Sequence, residues 1–84
     1  MEKIVSFGEG IIHLNANENN VMSREGWNGK GMYVKVCKNT EITINGIKLP
    51  LNDHFVIKNV NGSFSTWVPS VNDCLSSDWV LDSI

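Results

Sequence analysis

The sequence predicts an α+β fold: a small antiparallel sheet with an N-terminal helix and a short C-terminal helical turn, assembled as an oligomer. Apolar residues recur at helical spacing near the N-terminus, later runs alternate apolar and polar residues, and Asn-Gly pairs separate such runs. A chain of 84 residues has room for one domain, expected over residues 1–84. Its core is thin at this size, so association of copies is expected to stabilise it.

The N-terminal helix is expected over residues 7–15. Ser6 and Glu9 are spaced as in a capping box, in which each side chain bonds the other residue's backbone N–H. Gly8 and Gly10 each weaken the helix by about 1 kcal/mol relative to alanine. Packing rather than intrinsic propensity must therefore hold this helix.

Short strands and turns follow. Residues 21–25 are expected to form one strand, and residues 32–37, with alternating apolar and polar side chains, the next. Three glycines within residues 26–31 indicate tight turns between them. Asn45-Gly46 then joins two short runs as in a type I′ hairpin, and Pro50 is expected to end that hairpin.

A second hairpin is predicted around Asn61-Gly62. If these two residues are the whole loop, Phe55 faces Val68 and Val56 faces Trp67. One face of the hairpin is then apolar enough to belong to the core: Phe55, Ile57, Phe64 and Val68. Trp67 lies on the opposite face and needs a partner there, which is a ligand, another subunit or the N-terminal helix.

The C-terminal segment contains another cap. Ser70 and Asp73 have the spacing that starts a helical turn, here over residues 71–76. Trp79 then begins a last short strand, which is expected to close the sheet and bury the indole.

Composition argues against two classes of partner. Seven basic and nine acidic residues leave a net charge of −2, so neither the basic face of a duplex nucleic-acid binder nor the lysine-rich face of a membrane-surface helix is present. No segment reaches transmembrane length, and the first residues lack the apolar run of a signal peptide. The expected compartment is a cytoplasm, in which Cys37 and Cys74 are reduced.

Residue spacing gives little support for catalysis or metal binding. His13 and His54 lie on different elements, at no triad or zinc-ligand spacing from a carboxylate or cysteine. Asp73 and Asp78 are interpreted as a helix cap and a turn residue. The sequence therefore predicts no catalytic residue, no metal and no cofactor.

The positions of the tryptophans favour a ligand-binding function over catalysis. Trp27 stands in a glycine-rich turn and Trp67 beside a strand end, where an indole can stack on a nucleobase. Backbone N–H groups of the glycine turn can hold a phosphate, with Arg24 or Lys30 as the countercharge. These features predict a small aromatic ligand, with a nucleotide as one candidate. The alternative for both rings is to plug the end of a small sheet.

Several segments together resemble the second type of Thoeris anti-defence proteins, which phages and prophages encode. The segments are residues 6–9, 24–32 (Arg-Glu-Gly-Trp-Asn-Gly-Lys-Gly-Met), 56–58, 61–62, 67–70, Asp73 and Asp78-Trp79. The resemblance covers nearly the whole chain and is weakest over residues 38–53.

The resemblance implies a protomer that assembles as a homotetramer, a dimer of dimers. Pockets between subunits then sequester glycocyclic ADP-ribose, the signal of the bacterial Thoeris system, in the cytoplasm of the infected bacterium and without enzymatic turnover. Some relatives also sequester cyclic dinucleotides at separate sites. The alternatives are a protein-binding module that inhibits a host protein and a cyclic-nucleotide hydrolase.

The same resemblance assigns a pocket built from two parts of the chain. By this resemblance its ligand-binding residues are Trp27, Asn28, Met32, Trp67, Ser70 and Asp73, together with Phe7; Arg24 is added to them as the countercharge expected above. The tryptophans are expected to stack on the base, while Asn28, Ser70 and Asp73 bond ribose hydroxyls or the base edge. Pro69 and Val71-Asn72 depart from the residues usual in the family, so the preferred ligand can differ.

Overall fold

The computed structural model describes residues 3–27 and 31–84, and it has the predicted α+β fold. The helices are α1 (Phe7–Ala16) and α2 (Val71–Leu75). The strands are β1 (Lys3–Val5), β2 (Asn20–Arg24), β3 (Tyr33–Cys37), β4 (Thr40–Ile44), β5 (Ile47–Leu51), β6 (His54–Lys58), β7 (Phe64–Trp67) and β8 (Trp79–Ser83). The strands expected over residues 21–25 and 32–37 correspond to β2 and β3, with ends shifted by one residue.

Six strands form one antiparallel sheet in the order β1-β8-β2-β3-β6-β7, while β4 and β5 form a separate two-stranded sheet. The strand that begins at Trp79 was expected to close the sheet. It instead lies inside the sheet, because β1, which was not predicted, pairs with its outer side. Within the described residues, no helix has the length and apolar character needed to span a membrane.

A small core lies between α1 and the main sheet. Its buried apolar residues are Val5, Leu14, Met22, Val34 and Trp79. Gly10 of α1 approaches the sheet so closely that a β-carbon at this position would overlap the sulfur of Met22. The glycine that weakens the helix locally thus permits the packing that holds it.

The start of α1 confirms Ser6 as its N-cap. The Ser6 hydroxyl oxygen accepts the Glu9 backbone N–H at 3.3 Å. The reciprocal bond differs from that of a capping box, because the Glu9 carboxylate accepts from the Ser6 hydroxyl at 3.3 Å. One orphan backbone donor of the helix is therefore satisfied by this cap.

The Asn45-Gly46 hairpin is confirmed. Both residues have positive φ, 51° and 77°, as a two-residue type I′ turn requires. The prediction that Pro50 ends the hairpin is wrong, because β5 continues to Leu51. Hydrogen-bonded and non-hydrogen-bonded pairs alternate away from the turn, and Pro50 with Glu41 forms a non-hydrogen-bonded pair. The missing N–H of proline therefore removes no bond between β4 and β5.

The loop of the second hairpin is one residue longer than predicted. The Gly62 N–H donates to the Asn59 carbonyl at 3.0 Å, and the Asn59 N–H donates to the Ser63 carbonyl at 2.8 Å. Gly62 has φ 89°, as in a type I turn followed by a left-handed glycine bulge. The loop therefore comprises residues 60–62 instead of Asn61-Gly62 alone.

This loop changes the register, so the predicted face of β7 is wrong, whereas the prediction that Phe55 and Ile57 of β6 face the core is confirmed. Phe55 pairs with Trp67, and Lys58 pairs with Phe64. Trp67 consequently shares the core side of the sheet with Phe55. Phe64 lies on the other face and is 53% exposed, and Val68 is 85% exposed beyond the strand end.

Candidate ligand-binding site

Four aromatic rings meet on the core side of the main sheet. We call Phe7, Trp27, Trp67 and Trp79 the tryptophan cluster. The ring centroids of Phe7 and Trp27 lie 5.6 Å from that of Trp79, and the centroid of Trp67 lies 6.1 Å from it. The two tryptophans meet Trp79 edge-on, at interplanar angles of 82° and 79°. The rings predicted to bind a ligand are therefore brought together around one buried indole.

The local backbone structure positions each of the outer rings in the tryptophan cluster. Phe7 is the first residue of α1. Trp27 follows a turn closed by a hydrogen bond from its own N–H to the Arg24 carbonyl at 3.1 Å. Trp67 ends β7 and packs edge-on against Phe55, with centroids 5.8 Å apart. The site thus depends on the register of β6 and β7.

The four rings are not equally buried. Trp79 is fully buried, whereas Phe7, Trp27 and Trp67 are half-buried and pack against the core from outside. Trp27 and Trp67 therefore keep part of their indole surface accessible. Aromatic surface exposed beside a rigid base is what a stacking ligand requires.

Trp79 also holds α2 in place. Its indole N–H donates to the Asp73 backbone carbonyl at 2.9 Å. At the start of α2, the Ser70 backbone N–H donates to the Asp73 carboxylate at 2.9 Å, and the Asp73 backbone N–H donates to the Ser70 hydroxyl at 3.1 Å. The predicted capping box is confirmed. The bonds between Ser70 and Asp73 thus form the start of α2.

Arg24 joins α2 to the end of β2. Its Nε donates to Asp78 Oδ1 at 3.0 Å, and its Nη1 donates to Asp73 Oδ1 at 3.2 Å. The Glu25 N–H also donates to the Asp78 carbonyl at 3.0 Å. Charge-assisted bonds of this kind are stronger than neutral ones and fix the geometry of the groups they join.

The ion pairs shift the acid–base properties of both partners. Hydrogen bonding to Asp78, supported by Asp73 and opposed by burial, raises the pKa of Arg24 above its ordinary value. Burial alone would raise the pKa of Asp73. Hydrogen bonds from Ser70 and Arg24 outweigh burial and lower that pKa. Asp73 is therefore a carboxylate at neutral pH, able to accept hydrogen bonds from a hydroxyl.

Most of the predicted site residues come together. Phe7, Arg24, Trp27, Trp67, Ser70 and Asp73 all take part in the tryptophan cluster or in the contacts that tie α2 to it. Met32 is half-buried just before β3. Asn28 and Lys30, which were predicted to bind the ligand and to balance a phosphate, lie outside the described residues.

Two residues of this site are not predicted from the sequence. Trp79 was predicted to be core and nothing more, yet it is the ring that the other three contact. Asp78 was interpreted as a turn residue, yet it binds Arg24. The Asp78-Trp79 pair is one of the segments that carry the family resemblance, and this could have indicated that both residues belong to the site. The bond between Arg24 and Asp78 spans 54 residues of sequence and leaves no local pattern.

The charges around Arg24 bear on its predicted role. One guanidinium faces two carboxylates, so its positive charge is already balanced within the chain. A phosphate would have to compete with both acids for it. The geometry therefore favours Arg24 as a residue that positions Asp73, with the phosphate role remaining a prediction.

Two clefts of the described surface lie away from the tryptophan cluster. The larger, about 390 Å³, runs between the end of α1 and the β3–β4 connection and is lined by residues that include Leu14, Lys35 and Thr40. The smaller, about 290 Å³, lies along α1 beside Ile12 and Leu81. Within residues 3–27 and 31–84, no three histidine, cysteine or acidic side chains stand close enough together to hold a metal ion.

Comparison with known families gives one match. Residues 5–81 match the family model of the Thoeris anti-defense 2-like domain. The matched range includes all four rings of the tryptophan cluster as well as Arg24, Asp73 and Asp78. A search of curated proteins found no match.

Proposed function

The chain belongs to the Thoeris anti-defense 2-like family, and from this membership we propose that it blocks Thoeris immunity by capturing the signalling nucleotide. The family assignment supports an anti-defence role directed at a nucleotide signal. The proposed ligand is glycocyclic ADP-ribose, bound and hidden without being cleaved. Cyclic dinucleotides are proposed as further ligands, and the infected bacterium's cytoplasm is the proposed place of action.

The observation that carries the proposal is the pair of half-buried indoles, Trp27 and Trp67, set edge-on against buried Trp79. An indole held in this way has little side-chain freedom left to lose when a base stacks on it. Each base–aromatic stack contributes roughly 1–3 kcal/mol. The cluster is therefore suited to a ligand with a nucleobase.

Polar groups beside the rings fit the rest of such a ligand. Asp73 carries a carboxylate at neutral pH and is 14% exposed at the side chain. We assign to it a hydrogen bond from a ribose hydroxyl, with Ser70 and Asn28 as further partners for the sugar or the base edge. Arg24 acts on the ligand indirectly, by fixing the direction of the Asp73 carboxylate.

Affinity explains why the site is proposed to lie between copies of the chain. A protein that captures a signal without turnover must bind it at about nanomolar Kd, which is about −12 kcal/mol. Two stacks supply roughly 2–6 kcal/mol of this. Enclosure and further hydrogen bonds must supply the rest, and a second copy laid over the rings provides both. The proposed assembly is a homotetramer, a dimer of dimers.

Isothermal titration with glycocyclic ADP-ribose tests the proposal, with linear ADP-ribose as the matched control. We expect nanomolar affinity for the cyclic nucleotide and much weaker binding of the linear one. After heating the complex, mass spectrometry should recover the nucleotide intact. A cleaved product would identify a hydrolase instead. No binding, together with capture of a host protein by nucleotide-free chain, would identify a protein-binding module.

A further inference from the structure

The hairpin of β4 and β5 stands apart from the main sheet. The main sheet itself is continuous without it, because Cys37 at the end of β3 pairs directly with His54 at the start of β6. Residues 38–53 therefore form an arm between two neighbouring strands. Among the described elements, β4 and β5 make their main contacts with each other.

The arm has one apolar face. The hairpin register places the side chains of alternate pairs on the same side. This side, which we call the hairpin face, comprises Thr40, Ile42, Ile44, Ile47, Leu49 and Leu51. Its five aliphatic residues are 41–61% exposed. The opposite side carries Glu41, Thr43, Lys48 and Pro50.

Such a hairpin needs a partner. An isolated two-stranded hairpin is marginally stable in water unless further strands or a packed surface cover its apolar side. The hairpin face exposes apolar surface on the order of 400 Å², within the size range of patches that mark interaction sites. The arm therefore has the form of a docking element rather than a loop.

The side chains of the hairpin face limit the kinds of partner that fit it. The hairpin face carries no charged side chain, so nothing on it selects a nucleic acid or a charged peptide. It also carries no aromatic or basic residue, whereas surfaces that enter a membrane interface are rich in Trp, Tyr, Lys and Arg. A partner must present a similarly uncharged aliphatic surface. A second copy of this chain presents one of equal size.

We propose that the hairpin face of one copy packs against the hairpin face of a second copy, about a two-fold axis. In this isologous contact the central pair, Ile42 and Leu49, meets its own counterpart. The tip residues Ile44 and Ile47, which are the most exposed of the five, then cover Leu51 at the root of the other arm.

Pro50 favours a contact between two hairpin faces over a continuous intermolecular sheet formed along the outer edge of β5. Because Pro50 belongs to a non-hydrogen-bonded pair, its nitrogen points to the outer edge of β5. That edge consequently lacks one of the donors that a continuous intermolecular sheet would use. Two faces in contact would bury on the order of 800 Å², about half of the roughly 1,600 Å² of a standard interface. The hairpin contact alone is therefore smaller than a standard interface and is proposed as one of the contacts of the assembly.

This inference extends the proposed function, which calls for an assembly without saying which surface joins its copies. Sedimentation equilibrium of the full chain, without nucleotide, tests it. We expect the wild type to form dimers or larger assemblies. Leu49→Lys, which places a charge at the centre of the contact, should weaken association at least 10-fold. Thr43→Lys, on the opposite side of the same hairpin, should associate like the wild type.

A second variant removes the arm. Replacing residues 38–53 by an Asn-Gly turn joins Cys37 to His54 as a direct hairpin and leaves the main sheet intact. We expect a folded chain, shown by tryptophan fluorescence like that of the wild type, that no longer self-associates through this face. If the shortened chain does not fold, the comparison of Leu49→Lys with Thr43→Lys decides the question alone.

Two results would overturn the inference: a monomeric wild type, or an assembled wild type that Leu49→Lys leaves unchanged. Binding of monomeric wild type to neutral phosphatidylcholine vesicles would assign the face to a membrane and equally reject the inference. Nucleotide titration of the same samples keeps the two proposals apart. An assembled chain that binds no nucleotide rejects the proposed function only, and a monomer that binds it rejects the hairpin contact only.

Discussion

The three tryptophans of this chain have different roles, and the extent to which each is buried distinguishes these roles. Trp79 has no exposed surface and makes both ring and hydrogen-bond contacts, so its first task is structural. Trp27 and Trp67 share contacts with it but retain exposed surface. A tryptophan that is buried on both faces of its ring thus stabilises the core. A tryptophan with one exposed face can stack on a ligand.

Trp67→Ala is expected to remove one base stack and leave a folded chain. A loss of roughly 1–3 kcal/mol corresponds to nucleotide binding about 5- to 150-fold weaker. Titration of glycocyclic ADP-ribose measures the loss, and circular dichroism checks the fold. Val68→Ala is the matched control, because this neighbouring side chain is 85% exposed. Unchanged affinity would remove Trp67 from the site, and an unfolded variant would mark it as core.

Trp79→Ala is expected to destabilise the whole protein. Replacing a fully buried aromatic residue by alanine typically costs about 3–5 kcal/mol, which is much of the stability of a small domain. Here the variant also loses the bond to the Asp73 carbonyl. Urea unfolding gives the difference, with Ile12→Ala, at a 72% exposed position, as the control with little effect. A stable Trp79→Ala protein would contradict the structural task assigned to this indole.

The pairing of Asp73 with Arg24 predicts a loss of stability in acid. Because the fold lowers the pKa of Asp73 from 3.8, the unfolded chain binds this proton more readily than the folded one. The stabilisation is fully present well above pH 4 and is lost as the pH falls through the lowered pKa. The raised pKa of Arg24 adds no pH dependence in the acid range, because the guanidinium stays protonated in both the folded and the unfolded chain.

Urea unfolding between pH 7 and pH 2 measures this effect. The free energy of unfolding of the wild type should fall below about pH 4. Asp73→Asn should have a smaller dependence on pH in that range, and Asp53→Asn, which replaces an exposed acid, should behave like the wild type. Equal slopes for Asp73→Asn and the wild type would show that the ion pair adds nothing to stability.

Helix α2 shows how a short element can be held by its cap and neighbours. Five residues form only one turn, too few for a helix to be stable alone. The Ser70–Asp73 capping box, the Arg24 ion pair and the Trp79 hydrogen bond surround this turn. The position of the Asp73 carboxylate therefore depends on all of them.

Ser70→Ala is expected to lower stability by about 1 kcal/mol, as loss of an N-cap usually does. For a domain of this size that is a fall in Tm of about 4–8 °C. Nucleotide affinity should fall as well, because the Asp73 carboxylate loses part of its support. Ser77→Ala is the matched control in the following loop. A Tm equal to that of the wild type would mean that the cap is dispensable.

The two Asn-Gly pairs show why an identical dipeptide does not define a loop. Asn45-Gly46 forms a type I′ turn, while Asn61-Gly62 is part of a three-residue loop. In the second loop the Asn61 side-chain oxygen accepts from the Ser63 N–H at 3.0 Å, and Asn59 donates to the Ser63 and Ser65 hydroxyls. These bonds favour the longer loop and thereby move Trp67 to the core side.

At the scale of the whole molecule, the chain is elongated, with dimensions of 43 × 27 × 26 Å. The main sheet and α1 carry the buried core and the tryptophan cluster, and the β4–β5 arm carries an uncovered apolar face. Two separate surfaces thus have separate proposed partners: a nucleotide at the cluster and a second copy at the arm. An assembly through the arm does not use the rings of the cluster.

The sequence by itself determined the elements whose signals are local. Capping residues placed α1 and α2, alternation placed β3, and Asn45-Gly46 placed the first hairpin. The tertiary structure decided everything that joins distant segments: β8 inside the sheet, the register that turns Trp67 toward Phe55, and Arg24 held by Asp73 and Asp78. The physical reason is the separation along the chain between the residues that interact. A cap or a tight turn is stabilised by neighbours within a few residues, whereas strand order and ion pairs across the fold are chosen by burial of the whole chain.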